Sequence, residues 1–126
     1  MRFARWTFGI AAVWGIAIIA PLYFLESRIA ADFPPPVARP ELYYGFVGVV
    51  LAWQFVYALI AIDPVRYRPL MLIGALGKLS FFGACTVLYL QGRVDATLVA
   101  TTAPDLLLAL LFCLAWVKTG RSTRSA

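Results

Sequence analysis

The stretch YYGFVGVVLAWQFVYALIAI, Tyr43–Ile62, runs for 20 residues without a charge, and its reading decides the fold. At about 1.5 Å of rise per residue, an α-helix of that length crosses a hydrocarbon core of about 30 Å. Asp63-Pro64 ends it, because proline disfavours helical geometry in the residue before it.

The same pattern recurs on either side. Trp6–Leu25 is apolar, with Arg2 and Arg5 before it and Glu26-Ser27-Arg28 after it. Leu70–Leu90 follows the loop Asp63–Pro69 and is terminated by Gln91-Gly92-Arg93. Ala96–Val117 precedes a polar tail, Lys118–Arg124. Of 126 residues, 63% are hydrophobic and 13% charged, whereas a soluble domain carries about 25% charged and about 45–50% apolar residues. Little is left over for a soluble part. The expected fold is therefore an all-α membrane protein, an antiparallel four-transmembrane-helix bundle. It forms a single integral membrane domain over residues 1–126, with helices at about 6–25, 43–62, 70–90 and 96–117.

A cleaved secretory signal is the rival reading of the first span. Its apolar run is longer than the usual h-region of about 7–15 residues. No small-x-small site follows, since Ala31 has Ile29 at the −3 place and Ala30 has Arg28. The span is expected to stay as a helix. After it comes a Pro-rich external loop, residues 31–40, in which Pro34-Pro35-Pro36 favours an extended polyproline II path.

Basic residues set the orientation. Arg2, Arg5, Arg66, Arg68, Lys118, Arg121 and Arg124 fall on one side of the spans, and Arg28, Arg39 and Arg93 on the other. All lie in short segments, so both termini are expected in the cytoplasm of a bacterial inner membrane. Trp6, Tyr23, Tyr43, Tyr44, Tyr67, Tyr89 and Trp116 sit near span ends, where an aromatic belt would lie. The net charge of +5 is accounted for by this topology signal, so the expected partners are the lipid bilayer and a second copy or a membrane subunit, with no nucleic acid. Short connections make spans two and three, and three and four, expected antiparallel neighbours.

The chain has no histidine, which removes a haem held by axial histidine, histidine-bearing zinc sites and histidine-based triads. Cys85 and Cys113 lack metal or redox spacing, and their depths, about 24 Å and about 6 Å from the cytoplasmic boundary, are too different for a disulfide. No cofactor, metal or catalytic residue is assigned.

Three strongly polar side chains lie inside spans. Helical rise puts Gln54 about 12 Å, Lys78 about 13 Å and Asp105 about 18 Å from that boundary. A lone charge there costs about 2.5–3.5 kcal/mol on insertion scales. Lys78 and Asp105 lie on helices expected to be neighbours, so an ion pair is the simplest way to hold both. Gln54 is placed to hydrogen-bond either. Gly74 and Cys85 share the Lys78 face, while Thr101, Thr102 and Ala109 share that of Asp105, giving narrow faces that admit a neighbouring helix. Pro104 frees a carbonyl one turn earlier for the threonines or Lys78 to satisfy. Gln54, Lys78, Asp105, Thr101 and Thr102 form the candidate midplane polar site. The competing reading is that the pair only locks helix register, or that Lys78 snorkels to headgroups.

The loop Asp63-Pro64-x-Arg66-Tyr67-Arg68-Pro69, with Lys78 after it, resembles small four-helix bacterial membrane proteins broadly similar in layout to the DoxX-like group. The resemblance covers the architecture of most of the chain but specific residues only in this loop and the start of helix three. It implies the four-helix layout and no catalytic residues. Gly77 stands where such proteins often carry an acidic residue.

Other four-helix families fit less well. Small multidrug-resistance transporters carry a glutamate within the first helix, whereas this one has Trp14 and Gly15 at mid-depth. Quinone-linked thiol oxidoreductases need paired cysteines, and haem-anchoring subunits need histidine. Three functional readings follow. The first is a structural or accessory protein, the second a small proton-coupled transporter using Asp105, and the third a membrane enzyme or binder of a lipid-like molecule. Packing has the first claim on the Lys78–Asp105 pair, and an enzyme has the least support, since it brings several convergent groups with an evident acid, base or nucleophile.

Overall fold

A computed structural model describes residues 2–32 and 39–125. All of the regular structure is helical: α1 (Arg2–Ile19), a 3₁₀ segment (Ala20–Phe24), α2 (Glu26–Asp32), α3 (Pro40–Ile62), α4 (Arg68–Leu90), α5 (Ala96–Thr101) and α6 (Ala103–Ser125). Four stretches, Arg2–Phe24, Pro40–Ile62, Arg68–Leu90 and Ala96–Arg121, are long and apolar enough to cross a membrane.

Their ends depart from the sequence-based expectation for local reasons. The first span is α-helical only to Ile19, because Pro21 has no N–H to continue the ladder, and a tighter 3₁₀ turn follows. The chain then forms α2, so Ala31 and Asp32 are helical rather than part of an extended loop. Pro34–Pro36 lie outside the described residues. α3 begins at Pro40, three residues before the expected start. Its missing N–H costs nothing in the first turn, where Glu41 complements the helix dipole. α4 likewise begins early, at Arg68-Pro69. It ends at Leu90, and just beyond it Gly92, with a φ of +73°, lets Gly92 N–H reach Tyr89 O and Arg93 N–H reach Leu88 O, both at 2.9 Å.

The fourth span was expected to be one helix over 96–117. It is broken at Thr102, one residue before α6 starts with Ala103-Pro104, and it runs on through the polar tail to Ser125. Asp95 caps α5 by accepting the Leu98 N–H at 3.1 Å.

α1 packs along α3 and against α6, and α6 packs along α4. α3 and α4, joined by the turn at 63–67, approach each other much less closely along their length. A short connection brings two helix ends together but does not force the helices to pack, so the expected close packing of spans two and three is present only in part.

The core occupies one half of the bundle. Phe8 of α1 stacks on Phe112 of α6 with centroids 4.2 Å apart, and Tyr57 of α3 lies 5.0 Å from Phe112. Ala4, Ala11, Ile60, Met71, Ala75 and Ala115 surround these rings, all buried. The small residues let helix backbones come close, which is how helices pack where lipid removes the hydrophobic drive. The outward surface is apolar: Ile10, Val13, Phe55, Leu76, Leu107 and Leu110 are all exposed. A water-soluble monomer rarely shows so continuous an apolar surface.

Candidate functional site

Because α3 and α4 part along their length, a cleft of about 760 Å³ lies between them, backed by α1 and the α5–α6 junction. Val49 and Phe46 of α3, and Ile73, Leu76 and Phe81 of α4, form its walls and rim. The exposure of all five means the cleft opens sideways between the two helices. Tyr57 lies close to Gly74 at its base, and the Phe46 and Phe81 rings, with centroids 5.7 Å apart, bridge its far part.

The polar groups inside come from three helices. Lys78 of α4 donates from Nζ to Asp105 Oδ1 of α6 at 2.8 Å, with side-chain exposures of 15% and 22%. The ammonium also lies 5.8 Å from the centroid of the Tyr57 ring, whose face favours a cation. Gln54 of α3 is 1% exposed. Its Nε2 donates to Val50 O at 2.8 Å, but among the described residues its Oε1 has no hydrogen-bond partner. The carboxamide is seated over Gly15 of α1, where a Cβ would overlap it.

The two threonines separate. Thr101 is exposed and lines the cleft, donating its hydroxyl to Leu98 O at 2.6 Å. Thr102 is buried outside the cleft lining and donates to Val99 O at 2.6 Å. Both hydroxyls cap carbonyls beside the helix break. The Thr102 backbone N–H donates to Val99 O at 3.0 Å, and among the described residues neither threonine hydroxyl nor Lys78 is bonded to Ala100 O, one turn before Pro104. Four of the five sequence-derived site residues, Gln54, Lys78, Asp105 and Thr101, therefore surround one space.

Sequence reading missed Ser80, Trp53 and Tyr57, which also line the cleft. Ser80 carried no usable signal, because residues two apart on a helix do not face each other and its place two after Lys78 therefore argues for a different face. The aromatic pair had none either, because it belongs equally to a packed core.

Basic residues at the opposite, packed end meet carbonyls and rings. Arg5 donates to Ile62 O at 2.9 Å, at the C-terminus of α3. Arg68 donates to Trp116 O at 2.9 Å and its guanidinium stacks 4.2 Å from the centroid of the Trp116 ring. Lys118 lies 4.4 Å from the Phe3 ring centroid. Among the described residues, no group of three or more His, Cys, Asp or Glu side chains is placed to hold a metal ion.

Comparison with protein-family models, with curated proteins and with solved structures finds no match to this chain.

Proposed function

We propose that this chain is a multi-pass membrane protein that binds a lipid-like molecule in the cleft between α3 and α4. The observation that carries the reading is a partly exposed Lys78–Asp105 pair inside a cleft whose walls are apolar and whose mouth opens sideways. A pair serving only to fix helix register is best covered on every side, since each uncovered donor or acceptor facing hydrocarbon loses free energy. Ligand sites of this size combine apolar walls with a few convergent polar groups, as here.

The excess of basic residues beside Arg2, Arg66 and Lys118 supports an orientation with that packed end in the cytoplasm of a bacterial inner membrane and the helices antiparallel. Transport through a single chain is disfavoured by the Phe8–Tyr57–Phe112 cluster, which fills the bundle below the cleft. A path would then require a second copy or a membrane partner subunit.

Native mass spectrometry of gently extracted protein tests the reading. A stoichiometric adduct other than bulk phospholipid is expected, and Gly77→Trp should abolish it. Gly77 lines the cleft, and atoms added there meet open space, so a large ring fills the site without disturbing the core. A protein without adduct in wild type, or an adduct insensitive to Gly77→Trp, would overturn it.

A further inference from the structure

The cleft also specifies the head group of what it holds, an inference that rests on the binding role proposed above. We infer that the ligand is an uncharged, hydroxyl-bearing lipid whose polar end sits on the Lys78–Asp105 pair.

The argument starts from unspent hydrogen-bonding capacity. A lysine ammonium has three N–H donors, and the carboxylate has two oxygens. One Lys78 donor is used by Asp105 Oδ1, and the ammonium also lies 5.8 Å from the centroid of the Tyr57 ring. Among the described residues no second donor reaches the Asp105 carboxylate. Both side chains remain part-exposed to the cleft. Ser80 is among the residues that line the same space, and Thr101 has spent its proton on Leu98 O but keeps its lone pairs.

The site therefore shows a donor and an acceptor side by side, and a hydroxyl is the smallest group that answers both. A charge is unwelcome for the same reason. Lys78 and Asp105 already neutralise each other, so a charged head group would lie against an opposite and a like charge at once. Its own hydration would be stripped by apolar walls with nothing left to offset that loss. The hydrocarbon part has a matching place along Val49, Ile73 and Leu76, which continue to the lipid-facing mouth.

The test uses the full chain in non-ionic detergent, carrying Trp6→Phe to remove an exposed indole outside the cleft lining. Trp14 and Trp53, which line the cleft, then report contact with a bromine atom by loss of fluorescence, while Trp116 packs against the core outside the cleft lining. Four probes of one chain length, brominated at mid-chain, are compared: an alcohol, a sulfonate, a quaternary ammonium and an alkane.

Saturable quenching by the alcohol is expected at about tenfold lower concentration than by the other three, equivalent to one retained hydrogen bond. Lys78→Met/Asp105→Asn should reduce the alcohol to the level of the alkane. Equal or tighter binding of the sulfonate, the ammonium or the alkane would overturn the head-group inference and leave the cleft as a lipid site. Absence of saturable quenching by any probe would overturn both.

Discussion

The carboxamide of Gln54 occupies the space that a side chain at residue 15 would need, so the α1–α3 contact depends on a glycine. The fit is local and rigid, because Gln54 Nε2 is held by Val50 O within its own helix. Gly15→Ala should lower stability by about 1–3 kcal/mol, the usual range for forcing atoms into a packed interface. Thermal unfolding in detergent reads the loss. Adding Gln54→Ala should recover part of it, and strictly additive effects would place the clash elsewhere.

Lys78 and Asp105 form a cross-helix pair that can be tested as a unit. Lys78→Met and Asp105→Asn should each destabilise by about 1–3 kcal/mol, because each leaves a partner unmatched in an apolar setting. The double variant should be more stable than the sum of the singles by about 1 kcal/mol. A cycle that closes to zero would mean that the pair contributes nothing to the folded state.

Gly74 and Gly77 lie one turn apart in sequence but meet different surroundings. A Cβ on Gly74 would come within 3.0 Å of Tyr57 and 3.5 Å of Phe112, whereas one on Gly77 meets nothing within 4 Å. Gly74→Ala should therefore cost about 1–3 kcal/mol, and Gly77→Ala should be neutral or stabilising by about 0.4–1 kcal/mol through reduced chain entropy. Melting temperatures of the two variants that moved together would contradict the asymmetric packing of α4.

Arg68 ties the start of α4 to α6 through a hydrogen bond to Trp116 O and a guanidinium held over the Trp116 ring, a pairing that lysine does not reproduce. Arg68→Lys keeps the charge that sets topology and should still cost about 1 kcal/mol. The Trp116 emission should also shift as its guanidinium cover is lost. Unchanged emission would show that the stack is not maintained in solution.

Much of this is legible in the amino-acid sequence. An apolar run bounded by arginine or proline marks a span because length and charge are properties of the chain alone. Lys78 and Asp105 were paired because two charges at similar depth on neighbouring helices have few other ways to lower their energy. The cleft was not legible. It exists because α1 packs with both α3 and α6, leaving α3 and α4 without a close partner in each other, and sequence does not order helices around a bundle. Pro21 was passed over for a related reason. Its hydropathy suits the span, while its missing N–H ends α1 at Ile19.

The same local chemistry has a mechanical consequence. The peptide ladder is interrupted at Pro21 on the first span and at Thr102 on the last, both away from the aromatic cluster. Bending stiffness in a helix comes from its hydrogen-bonded ladder, so these are the most compliant points of the two spans. In a chain whose four helices cross a bilayer, flexing at these two points would take up a mismatch between bilayer thickness and hydrophobic length, at a cost of fractions of a kcal/mol per Å. The Phe8–Phe112 stack lies away from both interruptions, so such flexing would displace Thr101 and Asp105 at the cleft while leaving the stacked rings in place.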